Sequence, residues 1–296
     1  NTIGLFVKGL YNSTPMKDIL YFRQLDPKSE ETYFQVQRSV DMPFNGNRIL
    51  FAIDPNQQEV VTKLIPDLDK ANKEWTGLSL AYLAKVPVPT PLIFGMTENK
   101  TPGIVSRKIE GQLLYGNKDP EMRHALGAIV NHLHSNLQTD QATHDYSFYE
   151  EARANWNAEI FNEFSWAMSQ YCQNTPLVFC HGDLHDGQVI NSPNGLVLID
   201  FEKWQSDRPL SELGMYLFHC LRTGMNIQNF KNFITGYKNK DSLDESEKQA
   251  LMYYLLHIST GALIHFLEEN NWYLEYAKQN QEKVLNFIKN ETVWKL

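Results

Sequence analysis

Phe179-Cys180-His181-Gly182-Asp183-Leu184-His185-Asp186-Gly187-Gln188-Val189-Ile190, followed shortly by Leu196-Val197-Leu198-Ile199-Asp200-Phe201-Glu202, is the densest polar cluster in the chain. Apolar residues flank both segments, and Leu177 to Cys180 and Leu196 to Ile199 read as short strands. Such flanks anchor a polar loop between buried strands, which holds reactive groups still without burying unsatisfied charge.

The residue types in this loop suit phosphoryl transfer. That reaction asks little of a protein beyond a carboxylate to orient and accept a hydroxyl proton, and oxygen ligands for the divalent ion that bridges the phosphates. Asp183 suits the first role. Gln188 offers a neutral oxygen and Asp200, at the end of the next strand, a charged one, so a hairpin could aim both at one Mg2+. A second reading makes His181, Asp183, His185 and Asp186 ligands of a metal hydrolase, since alternate residues of an extended segment share a face. It lacks further ligands: His132 and His134 fall on a helix, where residues two apart diverge.

The loop resembles the signature of the aminoglycoside phosphotransferase and choline kinase superfamily: His-x-Asp, then Asn, then a strand ending in Asp. His181, Asp183 and Asp200 match it, and Gln188 stands where the family usually has Asn, its arm longer by a methylene. A narrower resemblance, to the catalytic loop of maltokinases, covers only this loop and Asp200-Phe201-Glu202. The superfamily resemblance implies an α+β, bilobal, protein-kinase-like fold with a small β-rich N-lobe and a large, mainly helical C-lobe. It also implies ATP or GTP as donor, Mg2+ as cofactor and a small-molecule hydroxyl as acceptor, such as a sugar, an amino alcohol or an aminoglycoside-like compound. His181 then braces the loop. In Asp207-Arg208-Pro209-Leu210-Ser211-Glu212-Leu213-Gly214, which resembles the family's segment after the metal-binding aspartate, Asp207 and Glu212 pin it.

Upstream, β-like runs are predicted over Tyr33 to Val40, Arg48 to Ile53, Glu59 to Ile65 and Gly103 to Ile109. One helix interrupts them, from near Asp69 to Lys85, with Asp67 or Asp69 as its cap and Trp75, Leu78 and Tyr82 at helical spacing. The resemblance places a phosphate-gripping lysine on a strand here, for which Lys63 is the candidate. A helix glutamate steadies it, for which Glu74 is the candidate. Gly46 and Asn47, in the turn Asp41 to Asn47, allow the close backbone approach that a phosphate needs, and an ordinary hairpin turn predicts the same residues. Residues 1–110 are read as the N-lobe, with 1–32 as an accessory piece, and 111–296 as the C-lobe.

Past Gly111 helices dominate: Pro120 to Ser135, Tyr149 to Tyr171, Ser211 to Thr223, Ile227 to Tyr237, Ser246 to Glu269 and Tyr273 to Lys289. Those after Asp200 carry Trp204, Tyr216, Tyr253, Tyr254, His257, Trp272 and Tyr273 beside Glu268 and Glu269. Such a mix suits a sugar or a cationic amino compound, although helix core is the better account of any one of these aromatics.

The totals narrow the classes. A net charge of −8 with no basic block argues against nucleic acid or an anionic membrane as partner. Three cysteines match no zinc framework, and no apolar run approaches the ~20 residues of a bilayer span, so a cytoplasmic protein is expected. A catalytically inactive, kinase-like binder of nucleotide or of a partner is the alternative that Gln188 and the thin phosphate loop keep open.

Overall fold

The computed structural model describes residues 19–24, 31–42, 46–117, 119–141, 158–239, 242–267 and 271–290. The chain forms two compact units, Asn1–Gln112 with Ile190–Lys203, and Leu113–Val189 with Trp204–Leu296. Segment 190–203 thus groups with the first unit, whereas the sequence pattern places everything after 110 in the second.

In the first unit, β1 (Ile19–Gln24), β2 (Glu31–Asp41), β3 (Arg48–Ile53), β4 (Glu59–Leu64), β5 (Pro91–Thr97) and β6 (Pro102–Arg107) close a barrel in the order β1-β2-β3-β4-β6-β5. Four of these strands coincide closely with the predicted runs. β1 comes from the segment read as accessory; it pairs antiparallel with both β2 and β5 and so completes the closure. Residues 1–18 and 25–30 lie outside the described residues. Closure removes the free sheet edges that an open sheet of this length would leave unpaired. Phe34, Ala52, Val60 and Val105 fill the interior, with Leu20, Leu64, Leu92 and Ile93 packed against them.

Strand parity decides where Lys63 points. Val60 and Leu64 face the barrel core, so Lys63, one residue out of phase, emerges on the other face of β4. Helix α1 (Leu68–Leu83) begins where the Asp67 side chain accepts the Asp69 and Lys70 N–H groups. Its buried positions are Ala71, Glu74, Gly77, Leu78 and Ala81. Trp75 stacks on Phe94, as the apolar spacing suggested, but Tyr82 is exposed. The buried face runs through Ala71, Glu74, Leu78 and Ala81, and Tyr82 lies outside it. The hairpin β10 (Val189–Ser192) and β11 (Gly195–Leu198) belongs to a three-stranded sheet of order β11-β10-β7, where β7 is Gln112–Leu113. The Leu198 N–H donates to the Pro87 carbonyl within the first unit.

The second unit holds helices α2 (Pro120–Asn136), α3 (Ala158–Asn174), α4 (Pro209–Thr223), α5 (Ile227–Lys238), α6 (Glu245–Leu267) and α7 (Asn271–Lys289). A small sheet, β12-β9-β8, carries the loop, formed by β12 (Gln205–Asp207), β9 (Leu177–Cys180) and β8 (Gln138–Thr139). Residues 142–157, which the predicted helix from Tyr149 enters, lie outside the described residues, as do the side chains of Glu268, Glu269, Trp272 and Tyr273. Tyr216 and Tyr254 are core residues, whereas Trp204 stacks on Phe179 with centroids 4.8 Å apart. Among the described residues no helix is long and apolar enough to cross a membrane.

α2 and α5 touch backbone to backbone. A Cβ added to Gly127 would lie 2.0 Å from the Phe233 carbonyl oxygen, and one on Gly236 would lie 1.9 Å from that of His124. Neither neighbour is a flexible side-chain end, so the helices themselves must part. Gly127→Ala or Gly236→Ala is therefore expected to cost about 2–3 kcal/mol, the upper range for overpacking, despite the higher helix propensity of alanine. Urea denaturation of each variant checks this, and an unchanged or raised midpoint would contradict the close approach.

Candidate active site

Within the first unit the Lys63 ammonium sits among three carboxylates, 2.5 Å from Glu74, 2.8 Å from Asp200 and 3.3 Å from Glu202. Strand parity aims the lysine, α1 supplies Glu74 on its buried face, and the segment after β11 supplies the other two. Asp200 holds a left-handed backbone, φ 67°, a conformation uncommon for a residue with a Cβ and found preferentially at functional positions. Burial alone would lower the Lys63 pKa, but the charges of Glu74 and Asp200 outweigh it and hold the amine well above its ordinary value. Burial, with Asp200 and Glu202 nearby, pushes Glu74 up to about 7 even against the pull of Lys63.

The carboxylate oxygens of Glu74, Asp200 and Glu202 lie within 4.8 Å of one another. The Lys63 amine contacts all three acids and the Lys73 charge acts on Glu202, and an all-oxygen donor set suits a hard divalent cation. The residues present therefore fit Mg2+. Glu202 belongs to the Asp200-Phe201-Glu202 strand end but has no role in the sequence pattern. The signal for it is the second acid beside the first, separated by the buried Phe201.

Gly46 and Asn47 close the hairpin between β2 and β3. The Gly46 N–H donates to the Met42 carbonyl and the Asn47 carbonyl accepts the Met42 N–H, so both groups are engaged inside the turn. Gly46 has φ 70°, and the buried Asn47 side-chain amide donates to Glu202 at 3.2 Å, which ties this turn to the acidic cluster.

In the second unit, Asp183 follows β9 in a loop braced from several sides. The Asp183 N–H faces His181 Nδ1 at 3.4 Å, and the buried His181 donates its own N–H to Glu212. Glu212 lies in the first turn of α4, and Asp207 caps its own neighbour by accepting the Arg208 N–H at 2.7 Å. His185 Nδ1 accepts the Gly187 N–H, and the Gln188 N–H donates to the His185 carbonyl, which closes a single 3-10 turn over Asp186–Gln188. A Cβ on Gly187 would meet the His185 ring at 2.7 Å, so only glycine allows the ring to lie there. The hydrolase reading weakens here, because ring nitrogens of His181 and His185 are spent on loop N–H groups and Asp186 is spent on an ion pair. His134, Cys180 and Glu212 also converge, but all three are buried and Glu212 is engaged by His181.

That ion pair was not foreseen. Arg123 and Asp186, both 0% exposed, meet at 2.8 Å; Arg123 also donates to the Asn117 carbonyl, and the Tyr216 hydroxyl donates to Asp186 at 3.2 Å. His219 Nε2 lies 4.0 Å from Asp186, and its ring stacks on His185. The available signal was an arginine on the apolar face of α2, in phase with Leu126 and Val130.

A scan against family models matches the phosphotransferase enzyme family, APH, over residues 45–245. The chain belongs to this family. A search of the curated proteins finds no match. Among solved structures, this phosphotransferase-family chain is similar to a choline/ethanolamine kinase family protein from Mesorhizobium loti, with TM-score 0.66, 14% identity, and 91% and 92% of the two chains covered. It is also similar to aminoglycoside 2'-phosphotransferase-IIIa in its GDP complex, with TM-score 0.61, 16% identity and coverage of 85% and 94%. A third is amicoumacin kinase hAmiN in complex with AMP-PNP, Ca2+ and Ami, with TM-score 0.59, 12% identity and coverage of 97% and 93%. At such identities the likeness establishes the bilobal α+β kinase-like fold.

Burial and the neighbouring His185, Arg222 and Arg123 hold the His219 imidazole down to about 3. Above pH 6.5 His219 is neutral in both folded and unfolded chains. Below that the unfolded chain takes up a proton that the folded one refuses, so stability falls with pH by about 1.4 kcal/mol per unit. Glu74 and Asp186, raised to about 7 and about 6, act in the opposite sense in any variant that retains them. His219→Phe is therefore expected to narrow its stability gap from the parent by about 2 kcal/mol between pH 7 and pH 5. Equal gaps in urea melts at the two pH values would show that His219 is not held neutral.

Proposed function

We propose that this member of the phosphotransferase family transfers the γ-phosphate of ATP or GTP to a hydroxyl of a small molecule such as a sugar, an amino alcohol or an aminoglycoside-like compound. The observation that carries this reading is the Lys63 ammonium held by Glu74 and Asp200 in the β unit of a chain with this family membership. Structurally similar proteins solved in complex with AMP-PNP and with GDP support a nucleotide donor.

In this reading Lys63 pairs with the phosphates, and Glu74 keeps it in place and charged. Asp200 and Gln188 hold Mg2+, which when bound neutralises charge on the phosphates. Glu202 adds a third acid beside Asp200, and Asn47 orients it. Gly46 lets the β2–β3 turn pass close to the nucleotide. Asp183 aligns the acceptor hydroxyl and receives its proton while the attacking oxygen bonds to phosphorus and the nucleoside diphosphate leaves. His181, Asp207 and Glu212 keep the loop in shape. Most of the acceleration comes from positioning and charge neutralisation rather than covalent chemistry.

Asp183→Asn is expected to lower turnover by at least about a hundredfold while AMP-PNP binding with Mg2+ is retained, because an amide keeps the shape but accepts no proton. A panel of sugars, amino alcohols and aminoglycosides, screened first by thermal shift, supplies the acceptor for that assay. Parent-level turnover in the variant would remove Asp183 from the base role. Lys63→Met should instead weaken AMP-PNP binding by about tenfold or more, the loss of a charge-assisted contact to phosphate. Unchanged affinity by calorimetry would remove Lys63 from the phosphate site.

A further inference from the structure

We propose that the buried pair Arg123 and Asp186 are positioning residues that set the place of the Gln188 amide, and through it the Mg2+ requirement of nucleotide binding; this rests on the reading of Gln188 as a metal ligand. Asp186 opens the Asp186–Gln188 turn, and the turn closes through the Gln188 N–H to the His185 carbonyl at 2.8 Å. Where Asp186 sits therefore determines where Gln188 begins. A glutamine has one more rotatable bond than asparagine, so its oxygen needs a better-fixed backbone to occupy one position.

The fixing is heavily built for a turn of this length. Asp186 accepts from Arg123 Nη2 at 2.8 Å and from the Tyr216 hydroxyl at 3.2 Å, with His219 Nε2 at 4.0 Å. Arg123 reaches back to the Asn117 carbonyl at 2.8 Å, which links the turn to the segment leading into α2. Nε and Nη1 of Arg123 find no hydrogen-bond partner although fully buried. Burying a guanidinium with two idle nitrogens is costly, and an apolar pair of similar volume often gives equal or greater stability. A pair that stability does not require is explained by the geometry it specifies. His185, stacked on His219 and capping the turn through Nδ1, fastens the side facing Gly187.

The test reads the MgCl2 concentration that half-saturates AMP-PNP binding to the full chain, by calorimetry, in variants whose folding is checked by thermal unfolding. Arg123→Leu with Asp186→Leu removes both charges together, so no lone charge is left buried. The expected result is a folded protein whose Mg2+ midpoint rises about tenfold or more, the usual effect of losing a group that orients a metal ligand. Gln188→Ala should raise it similarly, and adding Gln188→Ala to the double variant should raise it no further, since both act through one amide. A folded double variant with the parent midpoint overturns the proposal, as does a shift that persists undiminished on the Gln188→Ala background. If Gln188→Ala itself leaves the midpoint unchanged, the metal role of Gln188 falls, and this inference with it, whereas the Asp183→Asn assay still judges the phosphotransfer reading. Should the double variant not fold, Tyr216→Phe, which deletes one hydroxyl from Asp186, is read the same way; an unmoved midpoint there beside a shifted Gln188→Ala overturns the proposal.

Discussion

A single ammonium ion among three carboxylates organises the first unit. Lys63 can reach Glu74, Asp200 and Glu202 only because β4 presents it away from the barrel core, α1 brings Glu74 to its buried face, and the chain after β11 turns through a left-handed residue. Burial first, and then the neighbouring Asp200 and Glu202, push Glu74 up to about 7. A barrel with a well-packed interior is what such a cluster requires, because a lysine on a loosely held strand would simply swing into water.

The second unit meets a different demand with a buried network. Its polar loop is pinned at one end by Glu212 on the His181 N–H and at the other by Asp186 on Arg123. Within this loop the Asp183 N–H faces the His181 ring nitrogen and the Gln188 N–H donates to the His185 carbonyl. Fixed loops suit a reaction in which positioning supplies most of the rate.

The first unit's strands were largely legible because turn residues and β-branched runs delimit β3 and β4, and Asp67 announces the start of α1. The pairing of Lys63 with Glu74 was legible as well, from residue type and order. β1 was not, since a short strand that closes a barrel is defined by its partners β2 and β5 rather than by its own pattern. Tyr82 misled because helical spacing marks a stripe but not its edge.

The sequence by itself determined which residue types gather in the polar loop, and the order of elements that bears it, because those depend on local periodicity and residue chemistry. Only the tertiary structure decided that Glu202 joins Asp200 at Lys63, that Asn47 reaches Glu202, and that Arg123 is matched to Asp186. Each of those pairs joins residues at least 63 positions apart. No local pattern encodes such a distance; it is set by how closely helices and strands can pack, and by the cost of leaving a buried charge alone.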